Sequence, residues 1–313
     1  MHPEDAALPI PDQAAALSGL ARIQIQYADT FVQACEAAGG RSYVNYFPFL
    51  HFYGSDGRLR WERYHGSILI YQVRRRPTGG KHMTLYLPPM PFDPEALRHA
   101  SDRIRDFNAS KVVRIIWVGE EEVLTVARAG FSVFFKIDEF IHDRAAVMKL
   151  EGPSFRSLRQ DLSRVRRMEN LETRPYREED KAACLAVLEG WEKRVSAQGI
   201  KLTVGTYATK ACLAEASRFA HPLLGGLVVE IDGTVRGFAF AGRIFGKMGC
   251  IYLCYTDIRF RGLPQLLRYQ LMESHPELPY FNSSGDSGRE GLHNFKMQFR
   301  PIGMHGRFGA QMN

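Results

Sequence analysis

The chain has 313 residues, 45% of them hydrophobic and 12% aromatic, so it is long enough for two ordinary domains and too apolar to be disordered throughout. Its formal net charge of +7 favours an anionic partner, whether nucleic acid, a phosphorylated cofactor or an acidic membrane surface. The cysteines Cys35, Cys184, Cys212, Cys250 and Cys254 show no C-x-x-C spacing, which argues against a disulfide frame or zinc site and fits a reducing cytoplasm. A basic leader and a run of about 18 apolar residues are both missing, so neither export nor a spanning helix is expected.

In chain order, the leading "MHPEDAALPIPD" reads as loose. "SILIYQV" (67–73) and "KHMTLYLP" (81–88) are β-rich runs joined by the Pro and Gly of "RRRPTGG", a hairpin pattern. A helix follows, with Asp93 as N-cap, Pro94 at its first position and Leu97, Ala100 and Ile104 on one face. The strand "KVVRIIWV", the short helix "EEEVLTVARAG" and the strand "FSVFFKIDEFI" complete a ββαβαβ order. Two helical segments, "SFRSLRQDLSRVRRMEN" and "EEDKAACLAVLEGWEKRV", lead into "GGLVVEI", a type I′ turn at Asp232-Gly233, "TVRGFAFAG" and "GCIYLCYTD". The helix "LPQLLRYQLMES", the strand "LPYFN", the helix "GREGLHNFKMQF" and a strand after Pro301 then repeat the first order. The expected organisation is two similar α/β (α+β) domains with mixed, mostly antiparallel sheets, residues 1–147 and 148–313, the second carrying the cleft. Element order of this kind is compatible with the GNAT acyltransferase fold, and by itself it says nothing of chemistry.

Two segments concentrate charge. In "SFRSLRQDLSRVRRM", Phe155, Leu158, Leu162 and Val165 form an inward stripe, while Arg156, Arg159 and Arg166 share the neighbouring face and suit phosphate. A solvated helix face is an equal reading. In "YFNSSGDSGREGLHNFKMQF", Leu292, Phe295 and Phe299 form a core stripe, and Arg289, His293, Lys296 and Arg300 fall on another face. Ser287 is placed to cap that helix and Gly288 to let a ligand approach the backbone. Periodicity alone leaves "SSGDSG" open between a plain turn and an anion site at a helix N-terminus. Trp191 reads as core, and Tyr255, at the end of the central meander, as a wall of the cleft.

A CoA-dependent enzyme of the GNAT type would hold pyrophosphate in a Q/R-x-x-G-x-G/A loop. Arg259 and Gly262 match it, but Pro264 stands at the last position and has no N–H to donate. The segment 280–301 instead resembles the C-terminal signature of the phosphatidylglycerol lysyltransferase family, through Asn282, Asp286, Gly288, Gly291, Leu292, Lys296 and Pro301. "LEGPSFRSLRQ" is similar to that family's segment opening the second unit, through Leu150, Gly152 and Arg159, and Phe295, Lys296 and Phe299 are similar to a core of the Fem-type transferases. The resemblance implies a tandem GNAT-like enzyme that moves an amino acid from aminoacyl-tRNA to a small-molecule or lipid acceptor, with no cofactor beyond that co-substrate. It implies Asp286, Lys296 and Asn282 as catalytic residues. Arg156, Arg159, Arg166, Arg289, His293, Arg300, Gly288 and Tyr255 would contact substrate or tRNA. No flippase-like portion accompanies the segment, which leaves a soluble acceptor and peripheral membrane contact both open, as is the oligomeric state. The alternatives are an acyl-CoA-dependent N-acyltransferase and a nucleic-acid-binding module with a vestigial pocket.

Overall fold

The structure, a computed structural model, describes residues 17–77, 79–199 and 204–313. The leading dozen residues lie outside them. By its contacts the chain forms two compact units, one of residues up to Ala38, Gly54–Lys136 and Arg307–Asn313, the other of Gly39–Tyr53 and Ile137–Gly306.

The first unit contains β1 (Ala21–Arg22), α1 (Ala28–Ala38), β2 (Leu59–Tyr64), β3 (Ser67–Arg75), β4 (Lys81–Leu85), α3 (Pro94–Asn108), β5 (Val113–Gly119) and α4 (Val123–Arg128); α2 (Phe47–Tyr53) belongs to the second. β1 to β4 are successively antiparallel and β5 is parallel to β4. Parallel strands need a crossover, and α3 supplies it. The Asp93 carboxylate accepts from the Glu95 N–H at 2.7 Å and Pro94 occupies the first turn, as expected. Its apolar face, Leu97, Ala100, Ile104 and Phe107, packs with Leu69, Tyr71, Met83, Leu85, Val113 and Ile115 into the core of this unit.

The chain passes into the second unit within β6 (Ser132–Asp143) and continues through α5 (Arg144–Lys149), α6 (Arg156–Val165), β7 (Leu171–Pro175), α7 (Lys181–Ala197) and α8 (Val204–Glu215). The antiparallel meander β8 (Gly225–Ile231), β9 (Thr234–Phe245) and β10 (Met248–Thr256) follows, with Asp232 at φ 52° and Gly233 at φ 67° in the expected turn. Then come α9 (Leu263–Glu273), β11 (Tyr280–Asn282), α10 (Glu290–Met297) and β12 (Gly303–Met312). β11 is parallel to β10, so meander, crossover helix and parallel strand recur here as in the first unit.

The closing strands are exchanged. Ile141–Asp143 of β6 pairs with β11 in the second unit, and Arg307–Met312 of β12 pairs with β5 in the first. A single cut between 147 and 148 therefore does not describe the contacts, because each half of the sequence ends in a strand whose hydrogen-bond partner lies in the other half. Residues 39–53, α2 included, also group with the second unit. Its core packs α6 and α9 on the meander through Leu158, Leu162, Val165, Leu266, Leu267 and Ile251.

Candidate active site

The site is built where β10 and β11 diverge. Met248–Cys250 pairs with Tyr280–Asn282, and pairing then stops. Beyond Asn282 the chain keeps to β6 instead, since the Ser283 N–H donates to the Phe140 carbonyl and the Phe140 N–H to that of Ser284. Residues 251–256 of β10 are left with only β9 beside them, after a register irregularity between Ile251 and Leu253. All six line a cavity of about 770 Å³. A strand exposing six consecutive residues presents its backbone edge rather than one face.

Lys296, expected on a charged helix face, is 2% exposed. Its Nζ enters the wall and donates to the carbonyls of Ser283, Ser284 (2.8 Å) and Gly285 (2.6 Å). An ammonium has three donors, and all three are used. Burial and the Arg268 guanidinium push its pKa down from the lysine range to about 6, against the pull of Asp286 and Glu139. Leu292 and Phe295, expected in the core, are only partly buried and line the cavity, while Phe299 is buried as expected.

Asn282 is fully buried and does not line the cavity. Its Nδ2 donates to Glu139 Oε2 at 2.6 Å and to the Arg41 carbonyl at 3.0 Å, and its Oδ1 accepts from the Ser284 N–H. Glu139 also accepts from the Ser42 hydroxyl at 2.7 Å and the Tyr43 N–H. Asn282 thus fixes the turn whose carbonyls hold Lys296, and it ties residues 41–43 to β6. His142 supports the same turn. It is buried, its pKa is pushed down to about 3 by burial and then by Arg268, and its Nε2 lies 2.9 Å from the Ser283 hydroxyl.

Asp286 and His293 lie outside the cavity wall and bind each other. The carboxylate meets His293 Nδ1 at 2.9 Å and accepts from the Gly288 N–H at 2.9 Å. Burial raises the Asp286 pKa, but these two bonds outweigh it and hold the carboxyl below its usual range. Gly288 has φ 67°, where glycine is favoured. Ser287 does not cap α10; Arg289 stands at its N-cap without a side-chain cap bond, and its side chain lines the cavity. Tyr255 lines it too, its phenol accepting from the Thr209 hydroxyl at 3.3 Å. Trp191, read as core, is half-exposed in the wall with its ring edge-on to Tyr255.

The arginines of α6 separate by role. Arg159 donates to the Leu150 and Gly152 carbonyls, which makes it a brace for the loop before the helix. Arg300 donates to the Ser154 carbonyl at 2.7 Å and braces the same loop. Arg166 lies over the Tyr269 ring at 5.2 Å, and both it and Arg156 are exposed. None of these four lines the cavity.

Arg268 escaped the sequence reading because it falls amid the apolar residues of α9. Its guanidinium lies 4.9 Å over the Phe295 ring, it lines the cavity, and its Nε has no hydrogen-bond partner. Cys254 shares the wall, but burial raises its thiol pKa, so it is no ready nucleophile. In the CoA-type loop α6 covers the Gly262 backbone: Gly262 has φ 97°, and a Cβ there would sit 2.5 Å from Val165 and 3.0 Å from the Asp161 carbonyl of α6, while Pro264 lines the cavity. Pro264 stands in the first turn and Arg259 is held by Asp257.

Among the described residues no helix is long and apolar enough to cross a membrane. No curated protein sequence matches the chain. Among solved structures it is similar to a conserved protein of unknown function from Bacteroides thetaiotaomicron, with TM-score 0.82 and 17% identity over 94% of this chain and 99% of that one. It is similar also to L-PGS from Bacillus licheniformis, with TM-score 0.67 and 15% identity over 93% of each chain. FemX follows, with TM-score 0.62 and 10% identity over 90% of this chain and 95% of that one. At these identities the likeness establishes the fold, a GNAT-like mixed α/β architecture. The family described as Phosphatidylglycerol lysyltransferase, C-terminal, matches residues 42–311. The match covers most of the chain and all of the cavity wall, so the chain belongs to that family of aminoacyl-transferring enzymes.

Proposed function

We propose that the enzyme moves an aminoacyl group from aminoacyl-tRNA to the amine or hydroxyl of a small-molecule or lipid acceptor, in the cavity beside β10. The observation that carries this reading is a cavity, in a member of this family, with Lys296 and Arg268 in its wall and Cys254, whose thiol pKa is raised, as the one cysteine among the described residues that line it. An aminoacyl ester is already activated, so no covalent intermediate on the protein is needed. The acceptor nitrogen or oxygen forms a bond to the ester carbonyl carbon, and charge develops on the carbonyl oxygen. The carbon–oxygen bond to the terminal ribose then breaks, and the acceptor proton ends on the departing ribose oxygen.

Arg268 supplies the positive field for the developing oxyanion, and Lys296 fixes the Ser283–Gly285 turn beside it. Asn282 positions that turn from behind. Asp286 orients His293 through Nδ1, beside the turn whose carbonyls hold Lys296. Exposed Arg156 and Arg166 add attraction for the tRNA backbone. A tRNA-linked donor places the reaction in the cytoplasm. The CoA-dependent alternative is disfavoured by Pro264, which has no N–H to offer a pyrophosphate at the start of α9.

The test is incubation with a mixed pool of radiolabelled aminoacyl-tRNAs and deproteinised cell extract including its lipids. Label passing to an organic-soluble or small-molecule product, only when the enzyme is present, is expected. Protection from heating by CoA, without label transfer, would reverse the choice.

A further inference from the structure

Glu139 lies behind the cavity beside β10 and does not line it, yet two separate stretches of the cavity wall converge on its carboxylate. It stands on β6 within the second unit and is 3% exposed. Oε1 accepts from the Ser42 hydroxyl at 2.7 Å, and Oε2 accepts from the Tyr43 N–H at 3.2 Å and from Asn282 Nδ2 at 2.6 Å. His305 Nδ1 lies 4.0 Å from Oε2. Both oxygens are thus engaged by the protein, and a buried carboxylate held this way is placed to fix its donors and not to touch substrate.

The two stretches are far apart in sequence. Tyr43 belongs to the first and lines the cavity, its ring centre 4.7 Å from that of Phe49 and 6.1 Å from that of Tyr252, which line it too. Besides donating to Glu139, the Ser42 hydroxyl accepts from the Val44 N–H and so caps the turn that leads into α2, where Phe49 stands. The second stretch is Ser283–Gly285, which also lines the cavity and turns its carbonyls on Lys296. Asn282 Oδ1 accepts from the Ser284 N–H at 2.7 Å, while its Nδ2 is spent on Glu139 and on the Arg41 carbonyl. Residues 41–43 belong to no strand, so side-chain bonds and not a ladder hold them beside Asn282.

We infer that Glu139 is a positioning residue for the transfer: it keeps the Tyr43 wall and the Ser283–Gly285 turn in fixed register with each other, and loss of that hold slows transfer although no group that touches substrate is removed. A displacement of about 1 Å in a reacting site is enough to cost a large factor in rate. The inference rests on the proposed function and adds a residue to it.

The experiment gives variants of the full chain the same labelled aminoacyl-tRNA pool, at saturation, with the deproteinised extract and its lipids, beside a thermal unfolding curve. A glutamine at 139 keeps the three bonds: its carbonyl oxygen accepts from Tyr43 and Asn282, and its Nε2 donates to the Ser42 oxygen, whose own proton turns away. Glu139→Gln is therefore expected to transfer label within about threefold of the parent, and Glu139→Ala about tenfold or more slower. Where Glu139→Ala does not fold, Ser42→Ala and Asn282→Ala carry the test, since each releases one side of the hold. Because both act through one carboxylate, the double variant should transfer about threefold or more faster than the product of the single losses gives. A folded Glu139→Ala as fast as the parent, Glu139→Gln as slow as Glu139→Ala, or single losses that simply multiply overturns this inference and leaves the proposed function standing. Transfer by no form of the enzyme, the parent included, overturns both.

Discussion

Two strand-to-helix turns in the second unit look alike in sequence and differ in purpose. The turn from β10 into α9 carries Gly262, the turn from β11 into α10 carries Gly285 and Gly288, and basic residues flank both. In the first, glycine is needed because α6 presses on the backbone, so the chain at that glycine is closed to a side chain or ligand although Pro264 beyond it lines the cavity. In the second, Gly285 lets the chain pass against Ile137, where a Cβ would come within 2.3 Å, and Gly288 only relieves a positive φ. That turn stays open and directs three carbonyls at Lys296. Glycine and charge mark a turn; what packs over it decides whether it can meet a ligand.

Removing the Lys296 amine at the open turn should have the largest effect. Lys296→Met is expected to lower turnover by about a hundredfold or more while folding is retained, measured as label transfer from charged tRNA beside a thermal unfolding curve. Lys296→Arg should not restore it, since a planar fork cannot serve three converging carbonyls. Turnover within a few-fold of the parent in Lys296→Met would make the turn as inert as the one before α9.

The same residue gives a pH signature. Its folded pKa is about 6, below that of an unfolded lysine, so between these values the unfolded chain binds more protons and stability from this group rises with pH. The parent's denaturant stability minus that of Lys296→Met should therefore grow from pH 6 toward pH 9. A flat difference would mean that the three carbonyls keep the ammonium charged throughout.

At the closed turn the response should be structural. Gly262→Ala forces a side chain into Val165 and the Asp161 backbone at positive φ, and should cost about 2–3 kcal/mol of unfolding free energy. Gly288→Ala meets nothing within 4 Å and should cost about 1 kcal/mol from φ alone. Equal losses would erase the distinction between the turns.

Most of this fold was legible in local pattern. The Asp93-Pro94 start of α3, the Asp232-Gly233 turn and the paired order of strands and helices each follow from short-range sterics and periodicity. The strand exchange was not, because β6 and β12 satisfy the same alternation whichever unit they complete. Residues 39–53 were missed for a related reason: their anchors, Glu139 and Asn282, lie about a hundred and more than two hundred residues downstream. At the site, the family signature pointed to Lys296 while its helical period pointed to solvent. The period failed because a long side chain can turn inward when carbonyls await it. Arg268 gave no signal in an apolar helix.

The smallest expected effect tests how far the arginines of α6 serve the cavity. Arg159 spends its hydrogen bonds on the Leu150 and Gly152 carbonyls, so Arg159→Ala should cost about 1 kcal/mol of stability and change tRNA binding little. Arg156 is exposed on the same helix, and Arg156→Ala should leave stability within about 0.5 kcal/mol. If Arg156 meets a phosphate, the slope of log affinity for charged tRNA against log salt should become shallower by about 1. An unchanged slope would assign the whole stripe to shielding the closed turn, and would leave attraction for the donor to the cations in the cavity wall.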